Sequence, residues 1–335
     1  MERTKKMATI RDVASEAGVS VATVSRVLNG KGYVHEDTLK KVQQAIEKLN
    51  YSPNEVARSL FKRKSKLVGL LLPDITNPFF PELARGVEDE LQKQGFRLLF
   101  GNSDENPEKE QAYIDTFLQN QVVGMISATQ TSGLHKDEPH VIPTVLLDRT
   151  HGGNYTVYAD GREGGRIAAR ELISRGSHNI TLLKGPGNIS PVQDRFLGAV
   201  EVLAGANVDF HVIQMASLTY EEAEQRAKEL FSHYPGTDGI LASNDMTAAA
   251  VLHEALRIGK SIPDEVQIIG FDDIPMSRLL FPALSTIRQP VYEMGKQAAQ
   301  LLLKLIKKEQ VTEQNIQLPV TFVERNTTRK VKKDG

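Results

Sequence analysis

Four places in this sequence close a β-branched or leucine-rich run and then present carboxylate, amide, guanidinium or aromatic side chains. Asp148 and Arg149 follow Thr144–Leu147, Asn244 and Asp245 follow Gly239–Ala242, Asp272 and Asp273 follow Val266–Ile269, and Asn77, Phe79 and Phe80 follow Leu67–Leu72. Carboxylates and amides bond neighbouring hydroxyls in pairs, Arg supplies forked donors of fixed geometry, and an aromatic face covers C–H surface. That mixture suits a polyhydroxylated ligand such as a sugar. Each residue also has a plainer reading: Asn77-Pro78 as a turn and helix cap, Phe79 and Phe80 as core, Asp148-Arg149 as a surface ion pair. Asp273 reads as a residue that stabilises its turn rather than one that touches ligand.

Catalysis finds no such constellation. The eight His lack metal-type spacing, no Ser sits in a nucleophile elbow, and Gly164-Gly165 is too short a signal for phosphate binding. Leu72-Pro-Asp-Ile-Thr76 is not the glycine fingerprint a dehydrogenase needs after its first strand. The expectation is a binding protein, not an enzyme, with no cofactor and no metal.

A second set of residues points to nucleic acid. Thr9 can cap a helix whose apolar face is Ile10, Val13, Ala14 and Ala17, Gly18 supplies a tight turn, and Ser20 caps a second helix whose inner face is Val24, Val27 and Leu28. Val21, Ala22, Ser25 and Arg26 are left pointing outward, at or near the start of the second helix, where a helix-turn-helix reads the major groove. The candidate DNA-contacting residues here are Thr9, Ser20, Val21, Ala22, Thr23, Ser25, Arg26 and Asn29. Among them Arg26 suits a guanine, Val21 and Ala22 suit thymine methyl groups, and Thr23 and Ser25 suit phosphates.

The elements that must position these residues differ along the chain. After the two helices comes a third amphipathic one, Thr38–Leu49. Downstream of Ser65, short apolar runs alternate with longer helical patterns, the signature of a parallel α/β sheet, which binds ligands beyond the carboxyl ends of its strands. The strands read as Leu67–Leu72, Arg97–Phe100, Gly124–Ala128, Thr144–Leu147, Ile180–Leu183, His211–Gln214, Gly239–Ala242 and Val266–Ile269. Helical stretches include Pro81–Gln94, Glu108–Gln119, Gly164–Arg175, Ala223–Phe231 and Ala248–Ile258. The polar end, Arg329–Gly335, reads as disordered.

Charge divides the chain in the same way. Residues 1–64 hold 13 Lys and Arg against 7 Asp and Glu, a net of +6, while the remaining 28 against 35 give −7. The small end is the basic one, as phosphate binding requires. With 335 residues at least two domains are expected, and with no cysteine there are no disulfides. The longest apolar runs fall far short of the roughly 20 residues of a membrane span, and the charged N-terminus does not resemble a signal peptide. A cytoplasmic protein is expected, beginning at Met1 or Met7.

The segment Asn50-Tyr-Ser-Pro-Asn-Glu-Val-Ala-Arg-Ser-Leu60, taken with the helix-turn-helix at 9–29, resembles the lactose/galactose repressor family over nearly the whole chain. Within that family, Asn54–Leu60, Leu71–Phe80 and Asp148-Arg149 look most like the ribose-responsive members. The resemblance implies an all-α helix-turn-helix head at 1–51, a hinge helix and linker at 52–65, and a core at 66–335. That core is α/β, a two-lobed periplasmic-binding-protein-like arrangement of doubly wound parallel sheets between which the chain crosses three times. Lobe one is about 66–161 and 290–320, lobe two about 162–289 and 321–335.

The same resemblance adds Asn54, Arg58 and Leu60 to the DNA contacts, Leu60 as a minor-groove wedge. It places Asn77, Phe79, Phe80, Asp148, Arg149, Arg195, Tyr220, Asn244, Asp272 and Gln289 around a pentose, Tyr220 with the weakest alignment. The implied function is repression of a ribose operon, relieved when D-ribose or a related pentose binds. Partners are a palindromic double-stranded operator and a second copy of the chain, because the 12 mostly polar residues after Val323 cannot form the heptad tail of tetrameric members. Alternatives are a catabolite-control regulator activated by serine-phosphorylated phosphocarrier protein HPr, a repressor needing a purine co-repressor, and a free-standing sugar-binding protein. Asp148-Arg149 with Arg195 favours a sugar over the first, and the DNA head opposes the last.

Overall fold

The computed structural model describes residues 8–30, 33–51, 65–129, 142–149 and 155–331. Its contacts divide the chain into two units, Met1–Ser65 and Lys66–Gly335.

In the first unit, α1 (Ile10–Ala17) opens with a reciprocal cap: Thr9 Oγ1 accepts from the Asp12 amide, and the Asp12 carboxylate accepts from the Thr9 amide at 2.7 Å. Gly18 ends it with φ 66, a left-handed conformation that costs glycine little. Ser20 then caps α2 (Val21–Asn29), accepting from the Thr23 amide at 3.2 Å. The helix α3 (Glu36–Lys48) begins two residues earlier than the apolar pattern implies, because the His35 ring accepts from the Asp37 amide. Val13, Ala14, Ala17, Val24, Val42 and Ala45 form a small core against which Ile10, Val27 and Leu28 pack. The apolar spacing therefore sets which faces of the three helices meet.

The second unit holds two six-stranded sheets. The first has the order β11-β5-β4-β3-β1-β2, from β1 (Leu67–Leu72), β2 (Arg97–Asn102), β3 (Met125–Ser127), β4 (Thr144–Leu147), β5 (Thr156–Ala159) and β11 (Asn315–Leu318), with all pairs parallel. The second has the order β12-β10-β9-β8-β6-β7, from β6 (Asn179–Lys184), β7 (Asp209–Gln214), β8 (Gly239–Leu241), β9 (Gln267–Asp272), β10 (Ser285–Arg288) and β12 (Thr321–Val323). Only β12 runs antiparallel. Strands covered on both faces read as unbroken apolar runs, which is why β1 was legible as Leu-Val-Gly-Leu-Leu-Leu. The chain passes between sheets after β5, after β10 and after β11.

Helices cover the sheets: α4 (Phe79–Lys93), α5 (Pro107–Gln119) and α10 (Val291–Lys307) with the first, and α6 (Gly161–Ser174), α7 (Ser190–Leu203), α8 (Tyr220–His233) and α9 (Asp245–Arg257) with the second. Two helix pairs pack backbone to backbone. A Cβ on Gly86 would lie 2.1 Å from the Tyr292 carbonyl oxygen, fixing α4 on α10, and a Cβ on Gly165 would lie 2.0 Å from that of Arg195, fixing α6 on α7. One expectation is corrected at the C-terminus. Arg329 is not disordered: its amide donates to Gln267 Oε1 at 2.8 Å and its guanidinium to the Gly176 carbonyl at 2.9 Å.

Candidate functional site

The strand ends carry the chemistry. Where β4 stops, Asp148 turns with φ 66 while its amide still donates to the Val157 carbonyl, so β5 holds the residue in place. Asp272 ends β9 with φ 112, and Asp273 follows with φ 61. Non-glycine residues held in that region cost about 1–3 kcal/mol each and persist where neighbours over-determine them. The neighbours here are clear. Asp273 is clamped by Arg288 at 2.6 Å and Arg325 at 2.5 Å, and Asp272 accepts from Gln289 Nε2 at 2.8 Å.

Arg195 reaches this cluster from α7. Its Nη1 donates to the Ser243 carbonyl at 2.8 Å, its Nη2 lies 3.4 Å from Asp272, and its guanidinium sits 3.9 Å over the Phe271 ring. The next residue of the β8 loop, Asn244, caps α9 by accepting from the Thr247 amide. Asp148 feels the charges of both Arg195 and Arg149 although it belongs to the other sheet. Arg149 is buried rather than a surface ion pair, 4% exposed, with both terminal nitrogens on the Glu105 carboxylate at 2.6 and 2.5 Å. The Nε atoms of Arg149 and Arg195 are buried without a hydrogen-bond partner among the described residues.

Burial dominates the electrostatics. It raises the Asp148 carboxyl above the usual range against the pull of Arg195 and Arg149. Asp272 is pushed up to about 8, first by burial and then by Asp245 and Asp148, with Arg195 and Gln289 opposing. A desolvated carboxylate cluster with unpartnered guanidinium nitrogens can bond a ligand that both donates and accepts, as a chain of hydroxyls does.

Asp148, Arg149, Arg195, Asn244, Asp272 and Gln289 thus gather where the strands end. Phe79 and Phe80 are 3% and 7% exposed and meet edge to face at 5.1 Å in the apolar core. The Asn77 side chain accepts from the Phe79 amide at 3.1 Å, a local turn just before α4, whose N-cap is Pro78, and Tyr220 opens α8 with 39% of its surface exposed. Sequence reasoning missed Glu105, Phe271 and Ser243. It also left Asp245 without a role. That fully buried carboxylate accepts from the Ser277 and Thr286 hydroxyls at 2.6 and 2.5 Å and from the Ile274 amide at 2.9 Å, pinning the loop after Asp273.

In the first unit, Val21, Ala22 and Arg26 are exposed on α2, Thr23 and Ser25 are half-buried, and Thr9 and Ser20 are exposed caps. The Asn29 side chain, with Asn54, Arg58 and Leu60, lies outside the described residues. No described helix is long and apolar enough to cross a membrane, and no described cluster could hold a metal ion.

A helix-turn-helix unit in one chain with a two-sheet, ligand-binding type of core defines the class of effector-responsive DNA-binding regulators. The family model for bacterial regulatory proteins of the lacI family matches residues 9–54, and the periplasmic binding protein-like domain matches 169–328. The chain is 60% identical to the ribose operon repressor of Bacillus subtilis (strain 168), over 97% of this chain and 99% of that protein. Among solved structures, it is similar to a LacI family regulator from Enterococcus faecium with bound ribose, at 32% identity and TM-score 0.71, covering 78% of this chain and 98% of that one. The lac repressor dimer bound to operator and an anti-inducer shares the fold, at TM-score 0.88 and 24% identity, covering 97% and 100%. The chain belongs to the LacI family of bacterial transcriptional regulators.

Proposed function

We propose that this protein is the repressor of a ribose-utilisation operon, a homodimer on a palindromic operator that D-ribose or a close pentose releases. The carrying observation is the buried cluster of Asp148 and Arg149 with Arg195, Asp272 and Gln289, drawn from both sheets and rich in groups that bond hydroxyls. The names of the similar proteins, a ribose operon repressor and a ribose-bound regulator, favour ribose among sugars. The proposed assignment is a head at 1–51, a hinge at 52–65 and lobes at about 66–161 with 290–320 and 162–289 with 321–335. Asn77, Phe79, Phe80, Tyr220 and Asn244 complete the pentose site. Arg26 reads bases, and Leu60 wedges the minor groove when two hinges pair.

Ribose shifts the equilibrium only if it binds the two lobe arrangements unequally, and the residues that meet it come from both lobes. Closing them draws the paired hinges out of register. The two copies meet through the segment carrying Leu279 and Phe281, 79% and 94% exposed in the single chain. The absence of a membrane-crossing helix among the described residues fits action on chromosomal DNA in the cytoplasm.

The test is an operator titration with and without D-ribose. The unmutated dimer is expected to release operator as ribose rises, whereas Asp148→Ala holds operator equally well but loses about 1–3 kcal/mol of ribose affinity by calorimetry. If ribose instead tightens operator binding, the ligand is a co-repressor and the release model fails.

A further inference from the structure

The turn between β2 and α5 is built to aim one side chain. Asp104 and Glu105 stand in succession at φ 51 and 55, a pair of left-handed non-glycine residues that must be held from outside. They are. The Asp104 carboxylate takes Asn102 Nδ2 and Lys109 Nζ, the Asn106 amide donates to the Ser103 carbonyl at 2.9 Å, and Asn106 caps α5. Asn102 also accepts from the Ile75 amide at 3.0 Å, tying the turn to the loop after β1. The product is a Glu105 carboxylate set end-on against both terminal nitrogens of Arg149, 44 residues away.

The two partners are unequal. The Arg149 side chain is 4% exposed and that of Glu105 46%. A buried guanidinium needs a countercharge, and an end-on carboxylate leaves the other edge of the planar group, Nε–H with one terminal N–H, free to donate to two neighbouring oxygens. Among the described residues, Arg149 Nε is left buried without a partner. Glu105 also sets the charge balance. With Arg149 compensated, Arg195 is the one cation of the described cluster left to meet a ligand's negative charge. A phosphate would find a single uncompensated guanidinium to balance its charge, whereas a neutral polyol needs only hydrogen bonds.

We propose that Glu105 is a positioning residue that fixes and neutralises Arg149, making the effector site select uncharged sugars and reject phosphorylated ones. The inference rests on the sugar-effector reading above. It adds a residue that does not itself touch ligand.

Calorimetry with D-ribose and D-ribose 5-phosphate tests it on the unmutated protein, Glu105→Gln and Glu105→Asp, with circular dichroism to establish folding. Glu105→Gln is expected to raise affinity for the phosphate relative to ribose by about tenfold or more, since one buried positive charge loses its partner. Glu105→Asp keeps the charge and is expected to retain the rejection while binding ribose more weakly. A folded Glu105→Gln protein with the unmutated selectivity ratio overturns the proposal. Should the unmutated protein bind no ribose, the ribose reading falls by itself, and inorganic phosphate then decides for Glu105. Phosphate must raise the thermal midpoint of Glu105→Gln but not of the unmutated protein, and equal responses reject the role given to Glu105.

Discussion

The roles proposed for Arg26 and Asp272 differ in kind. Arg26 stands exposed in the last turn of α2. If it bonds a guanine in bidentate fashion, Arg26→Ala costs about 1–3 kcal/mol of operator affinity and relaxes preference at one base pair, which a binding-site selection reads directly. Unchanged preference in that selection would remove Arg26 from base readout. Asp272 acts through its surroundings. Its carboxyl titrates at about 8 in the folded protein against 3.8 for the free side chain. Between those values the folded chain holds a proton that the unfolded chain has lost, so its stabilising effect is full below the lower value and disappears as pH rises to the upper one. The urea midpoint of the protein alone is therefore expected to fall between about pH 5 and pH 8, and Asp272→Asn to flatten that fall. An identical slope in the variant would show that Asp272 does not carry it. Neither the raised value nor its main cause, burial, is visible in a string of residue types. The sequence already set Asp272 apart from Asp273, the turn-stabilising residue, and the packed structure supplies the partners, Arg195 near Asp272 and Arg288 with Arg325 on Asp273.

Elements were legible in proportion to how continuous their apolar signal was. The helix-turn-helix declared itself through caps and spacing, and β1, β4 and β9 through β-branched or leucine-rich runs. The strands β5, β10, β11 and β12, three or four residues each, mix Thr, Asn, Gln and Arg with apolar residues and gave too short a pattern to call. Glu105 was hidden for a related reason. Its partner is distant in sequence, and the turn that delivers it looks like any polar loop. The α6–α7 pair shows what an element contributes beyond its own stability, because the Arg195 carbonyl is the atom pressed against Gly165. Gly165→Ala must push α7 outward and take the Arg195 guanidinium with it. Its cost is expected to be about 1–3 kcal/mol in urea unfolding, with a measurable loss of ribose affinity, while Gly187→Ala, whose Cβ meets nothing within 4 Å, serves as the neutral comparison. Full ribose affinity in a destabilised Gly165→Ala would mean that α7 does not set the position of Arg195.

At the scale of the molecule, two-fold pairing and lobe motion have to be compatible. Phe281 is 94% exposed, and as a dimer contact it predicts that Phe281→Asp weakens self-association, seen by sedimentation velocity, and lowers operator affinity while ribose calorimetry stays unchanged. A fully dimeric Phe281→Asp would move the interface elsewhere. The connections between the sheets constrain the motion further. Only Asp160 separates β5 from α6, only Gln289 and Pro290 separate β10 from α10, and only Pro319 and Val320 separate β11 from β12. Two residues fully extended span about 7 Å, so none of the three tethers holds slack for a sliding displacement. Kinematically the core is a door on three short pins, which leave rotation about them easier than sliding. One pin carries Gln289, whose amide grips Asp272. A ligand that bonds there loads the axle itself, and a small torque at the axle becomes a large arc at the far edge of each lobe.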